Sequence, residues 1–301
     1  MYLMKIKLWL LCAFVVAGLA GCASAPRPSE PLPELPGPVA KRLPKLGLAL
    51  GGGAARGFAH IGVLQVLEEA GLRPEIVVGT SAGSMVAALY ASGRTGAQLQ
   101  QLAETMEEAA FTDWTLPIFS RGLLRGEALE RYVNAQVAGK LIEQMPLLLG
   151  IVATDLSSGQ GMLFRRGNTG MAVRASSAVP AVFLPVKIGA REYVDGGLVS
   201  PVPVRYARQM GAELVIAVDI SSTTEGNPAG DTIQILLQTF AIMGKQINSF
   251  ELREADLVVR PALPGVRSVD FSGRRRAIDA GRSAMLRLVP QLRAAIEAKA
   301  Q

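Results

Sequence analysis

The chain has 301 residues, half of them hydrophobic, with 31 basic and 25 acidic side chains, two cysteines and one histidine. Those counts exclude a zinc site built on several imidazoles, a disulfide framework and a Cys-rich metal cluster. A Ser-His-Asp triad survives only with His60 as its base, and the sequence calls for no metal and no other cofactor.

Residues 1–21 read as a signal peptide. Lys5 and Lys7 form a positive start, and Leu8 to Ala20 is a 13-residue apolar run, short of the roughly 20 residues a membrane span needs. Leu19-Ala20-Gly21-Cys22 closes it and resembles the lipobox of bacterial lipoproteins, in which Cys22 becomes the acylated first residue. Removing the signal leaves 29 basic and 25 acidic side chains, a net charge of +4. Basic residues are not interleaved with aromatics, so nucleic acid is not an expected partner. Arg274-Arg275-Arg276 is the densest basic cluster and reads as a solvated helix start. Residues 22–44 carry seven prolines between Pro26 and Pro44, the composition of an extended tether. At about 3.1 Å per residue it reaches roughly 70 Å from a lipid anchor.

The folded domain is expected over residues 45–301. Strands are predicted at Leu46–Leu50, Ile76–Val78, Leu147–Ala153, Leu163–Arg165, Val186–Ile188 and Leu214–Val218. Helices are predicted through Gly62–Ala70, from Ser84 to Ser92, and over Val202–Met210 and Thr232–Leu252. Such alternation implies an α/β fold, a largely parallel sheet with helices on both faces.

Gly79-Thr80-Ser81-Ala82-Gly83 fits Gly-x-Ser-x-Gly between a strand-like and a helix-like stretch, the setting of a nucleophile elbow. A small-residue turn packing strand against helix fits the same residues. Gly51-Gly52-Gly53-Ala54-Ala55-Arg56-Gly57 can present backbone N–H groups to a phosphate or to an oxyanion. Its glycine spacing matches no dinucleotide fingerprint and no Gly-Lys-Ser/Thr follows, which favours the oxyanion. Arg56 is expected to brace that loop through backbone carbonyls. His60 starts the next helix, off its apolar spacing, as a satisfied half-buried histidine or as a base. Asp195, in Tyr193-Val194-Asp195-Gly196-Gly197 at a strand end, reads as a second catalytic candidate or as a hairpin turn.

Taken in order, Leu48 to Gly57, Ala59 to Leu64 and the Gly79–Gly83 turn resemble the patatin-like phospholipase family, in its bacterial branch similar to neuropathy target esterase. Ala153 to Leu156, Arg174 to Pro180, and Asp195 to Gly197 with Pro201 to Val204 continue the resemblance, which spans roughly 46–220. It implies a three-layer α/β/α fold and a Ser-Asp dyad without histidine. Ser81 would be the nucleophile, Asp195 the base, and Gly51, Gly52 and Gly53 with Arg56 the oxyanion loop. This chain departs from plant patatins at Leu50, where they carry Asp, and has Ala54 where the esterase pattern has a further glycine. Which loop N–H groups face the oxyanion is left open by those departures.

The implied activity is a serine acyl hydrolase on membrane phospholipid or lysophospholipid esters. Two rivals keep the motifs: an acyltransferase to a lipid acceptor, and a catalytically silent lipid-binding lipoprotein. In a Gram-negative bacterium, Ala23 after Cys22 resembles outer-membrane sorting, placing the domain on the periplasmic face. The stretch Glu107–Leu149 matches the family least, and its Phe111, Trp114, Leu116, Ile118 and Phe119 could cap an acyl pocket or form satellite core. Oligomeric state is not legible.

Overall fold

The structure, a computed structural model, describes residues 42–107, 113, 121–221, 230–266 and 271–300. Cys22, the signal peptide, the tether as far as residue 41 and the Phe111–Phe119 aromatic cluster lie outside the described residues. All that is described belongs to the unit running from Lys41 to Gln301.

Its centre is an eight-stranded sheet. β1 (Leu46–Leu50), β2 (Ile76–Thr80), β4 (Leu148–Asp155), β9 (Leu214–Val218) and β10 (Leu257–Val259) run parallel in the order β10-β9-β1-β2-β4. β5 (Gly161–Phe164) and β8 (Arg191–Asp195) pair antiparallel with β4, and β7 (Val186–Ile188) pairs antiparallel with β8. The sheet is largely parallel, as expected, with its antiparallel strands grouped on one side. Leu156–Gln160 and Gly189–Ala190 are connections too short for a helical crossover, so those strands return as hairpins.

β1, β2 and β9 are buried along their whole length, as strands covered on both faces must be. Alternation sorts their side chains. Leu48, Leu50, Ile216 and Val218 join one core with α1 (Ala59–Glu69), α2 (Ala82–Ala91) and α8 (Arg274–Lys299). Ala49, Val78, Val215 and Ala217 join a second core on the opposite face, with Val204, Tyr206 and Ala207 of α6 (Val204–Gln209). Helix, sheet and helix give the three layers. α1 and α8 cross closely: a Cβ on Gly62 would strike the Ile278 carbonyl, and one on Gly281 the Ala59 carbonyl.

Some boundaries move. The first helix starts at Ala59, behind a 3₁₀ turn over Ala54–Phe58, rather than at Gly62. α6 starts at Val204, after a bend at Pro201 and Val202 and with Pro203, which has no N–H to donate, at its cap. α3 (Gly96–Thr105), α4 (Glu127–Gln136), α5 (Thr169–Ser176) and a two-stranded sheet of β3 (Gly122–Leu124) and β6 (Ala181–Phe183) have no counterpart in the predicted elements. The α3 start was readable: Thr95 and Gln98 form a capping box. Arg275 and Arg276 are exposed at the start of α8, as expected, whereas Arg274 is half-buried. It donates to the carbonyls of Ala103, Glu104 and Met106 and so caps the end of α3.

Candidate active site

The parallel strands end together, and the site forms at that end. β2 stops at Thr80 and α2 begins at Ala82, so Ser81 alone makes the reversal, at φ 54° and ψ −125°. Such a conformation costs a non-glycine residue about 1–3 kcal/mol and pushes its side chain out of the turn. Gly79 and Gly83 make it possible. A Cβ on Gly79 would collide with the Gly83 carbonyl, and one on Gly83 with the Leu50 carbonyl.

Asp195 is the last residue of β8, two strands from Ser81 with β4 between them. The chain then turns back over β4, and Gly196 lies so close to the Val152 carbonyl that no Cβ fits. This brings the Ser81 Oγ within 2.7 Å of Asp195 Oδ2, to which it donates. The Gly197 N–H holds the other carboxylate oxygen at 2.7 Å, and Thr154 Oγ1 donates to the Asp195 carbonyl at 2.8 Å. Asp195 is buried, and that burial raises its pKa from 3.8 to about 6 against the pull of the Gly197 and Ser81 hydrogen bonds.

The glycine loop borders Ser81 directly: a Cβ on Gly52 would sit 3.1 Å from Ser81 Cβ. Its N–H groups are not equivalent. Gly51 N donates to the Val218 carbonyl and Gly52 N to the Pro201 carbonyl, at 3.1 and 2.9 Å. Gly53 N has no acceptor among the described residues. Ser81 N donates to Ser176 Oγ at 2.9 Å, whereas Ala82 N is a first-turn donor of α2 without an intrahelical acceptor. Gly53 and Ala82 thus carry the unengaged donors flanking the hydroxyl.

Arg56 does not brace the loop through carbonyls. Its Nε is buried with no hydrogen-bond partner, and burial lowers its pKa against the pull of Asp219. The side chain lines a cavity of about 270 Å³ over Ser81 and Asp195, together with Gly52, Gly53, Leu237, Phe240 and Lys245. The last three come from α7 (Thr232–Glu251), whose part in the site the sequence did not indicate. Ser176 was also missed, although it stands inside the Arg174–Pro180 stretch; besides holding the Ser81 N–H, it donates to the Val152 carbonyl at 2.5 Å.

His60 is fully buried, not half-buried, because α1 packs on several sides and its apolar stripe is correspondingly wide. Its Nε2 lies 2.8 Å from the Gly51 carbonyl and its Nδ1 has no partner, so it holds the glycine loop from behind and makes no bond to Ser81. Burial lowers its pKa from 6.5 to about 4. The unfolded chain therefore takes up this proton first as pH falls, and stability is lost between pH 6.5 and 4, by up to ~3 kcal/mol. His60→Gln, which keeps a donor for Gly51, is expected to flatten that acid-side fall in Tm; an unchanged slope would assign the acid sensitivity elsewhere.

The family model described as patatin-like phospholipase matches residues 48–208. An uncharacterized NTE family protein of Mycobacterium tuberculosis is 36% identical over 203 residues, covering 65% of this chain and 56% of that one. Human patatin-like phospholipase domain-containing protein 6 is 33% identical over 234 residues, 74% of this chain and 16% of that protein. The chain thus spans only part of the length of these relatives. Among solved structures, VipD from Legionella pneumophila superposes with a TM-score of 0.57 at 15% identity, covering 82% of this chain and 66% of that one; the likeness is one of fold.

Proposed function

The chain belongs to the patatin-like phospholipase family, and on that premise we propose that it is a serine acyl hydrolase acting on phospholipid or lysophospholipid esters through an acyl-enzyme. The observation that carries the reading is the Ser81 Oγ to Asp195 Oδ2 hydrogen bond of 2.7 Å, made at a strained strand-to-helix turn. Ser81 Oγ attacks the ester carbonyl carbon while Asp195 takes its proton. The oxyanion forms against the N–H groups of Gly53 and Ala82, at the positive end of α2. Gly51 and Gly52 serve the loop's shape rather than as donors, their N–H groups being engaged. Asp195 returns the proton to the leaving alcohol, then activates a water that releases the fatty acid.

Arg56 and Lys245, the two cations lining the cavity, suit a substrate with a phosphodiester. Leu237, Phe240 and Val179 line the same cavity and suit an acyl chain. We assign the anchor to Cys22, with the domain on the periplasmic face of an outer membrane.

One preparation tests both parts. A fluorophosphonate probe is expected to label the wild-type chain and not Ser81→Ala; an unlabelled wild type, or equal labelling of the two, would sink the hydrolase reading. In detergent phase partitioning, Cys22→Ala is expected to keep its label and move to the aqueous phase. A wild type that takes up no palmitate label when grown with radiolabelled palmitate would refute the anchor.

A further inference from the structure

We propose that α7 is a membrane-docking helix, whose outward face lies on an anionic phospholipid surface while its inward face lines the cavity over Ser81. Of the ten large apolar side chains exposed among the described residues, six are on this helix: Ile233, Ile235, Leu237, Ile242, Met243 and Phe250. Exposed apolar residues scattered singly are ordinary; a concentration of this size on one element marks a surface that something covers.

The helix has two faces. Leu237, Phe240, Ala241 and Gly244 recur at helical spacing and line the cavity, and Asn248 and Glu251 continue that side into the core. Ile235 and Ile242 lie seven residues apart on the opposite side, as do Met243 and Phe250. The outward side carries Thr239, Gln246 and Ser249 between them and no charge. From Thr232 to Phe250 the one charged residue is Lys245.

Its buried hydrogen bonds to the other described elements are made at the C-terminal end. Asn248 accepts from Val202 N and donates to Ser221 Oγ, and Glu251 accepts from Ser200 Oγ at 2.6 Å. The Ser200 carbonyl in turn accepts from Thr80 Oγ1, next to Ser81. The turns before Asn248 have no buried residue. The helix is thus fixed where it meets the site and presents its apolar length outward.

Charge complementarity selects the occupant. From Thr232 to Phe250 the helix carries one cation, Lys245, and no anion; the exposed acids Asp231 and Glu254 lie beyond its two ends, and Arg253 stacks 5.3 Å from the Phe250 ring. Long cationic stems beside apolar residues suit the headgroup region of an anionic bilayer. None of the described helices is long and apolar enough to cross a membrane, so α7 would lie in the interface plane. A lipid there is about one helix diameter, ~10 Å, from the cavity.

The test uses the full chain with Cys22→Ala, so that acylation at that position contributes nothing. Binding to vesicles of phosphatidylcholine containing phosphatidylglycerol is compared with and without Ile235→Glu/Ile242→Glu, neither residue lining the cavity. The pair is expected to weaken vesicle binding at least about tenfold, leaving the circular dichroism spectrum and turnover of a soluble short-chain ester unchanged. Phe250→Trp is expected to add fluorescence that brominated lipid quenches. Equal vesicle binding by both forms, or added fluorescence that brominated lipid fails to quench, overturns the proposal; so does self-association that the pair abolishes without any vesicle binding. A wild type that binds vesicles but turns over no soluble ester leaves docking intact and removes the hydrolase reading instead.

Discussion

Asp195→Asn is expected to lower kcat/KM for ester hydrolysis by about 10⁴-fold, the scale seen when an aspartate that sets up a serine nucleophile is neutralised. The amide accepts the Gly197 N–H as the carboxylate does but cannot take the proton from Ser81 Oγ. In the wild type the base must be ionised, so kcat/KM is expected to fall as pH drops through about 6, where burial places this carboxyl.

The same substitution is expected to stabilise the protein, and the sign follows from the same shift. Unfolded, the carboxyl loses its proton near pH 4; folded, it keeps it to about 6. The folded state holds more protons across that window, so stability falls as pH rises from about 4 to 6 and stays lower above it. Asn has no proton to lose. Asp195→Asn is therefore expected to gain up to ~3 kcal/mol over the wild type at pH 8, and nothing from this source near pH 4. Thermal melts at the two pH values with hydrolysis measured in parallel check it; an active variant would return the base to another group.

Gly83→Ala is expected to cost the fold at least ~3 kcal/mol, a fall in Tm of about 6–12 °C for a domain of this size. The added methyl meets backbone, the Leu50 and Gly51 carbonyls, not a side chain that can turn away. Relief would require α2 to move off the end of β1, separating Ser81 from the glycine loop. Activity should therefore fall further than stability alone would explain. Gly230→Ala, where the space is open apart from the Gln234 side chain 3.7 Å away, is the control and should melt as the wild type. A Gly83→Ala protein with an unchanged melt would mean that the elbow is looser than these contacts imply.

Much of this was legible because it is local. The β1 and β9 strands carry unbroken apolar runs, Leu46–Leu50 and Leu214–Val218, and were read at their observed bounds. The elbow declared itself through glycines two residues either side of Ser81, and Asp195 through the glycine pair after it. α7 was visible as a long helix to within a residue of its end. α4 and α5 were missed because they are short, ten and eight residues, and packing against each other and the sheet holds them.

The sequence by itself determined the layered α/β order and the turn that exposes a serine hydroxyl, and it narrowed any histidine base to His60. Only the tertiary structure decided which groups meet. Ser81 and Asp195 are 114 residues apart, and their bond depends on β4 lying between β2 and β8. Partners distant in sequence decided which loop donors stay unengaged: Val218 and Pro201 take the N–H groups of Gly51 and Gly52, leaving Gly53. Burial set the rest, because desolvation raises Asp195 and lowers His60 and Arg56. Local propensity is written residue by residue, whereas solvation and long-range hydrogen bonds belong to the packed chain.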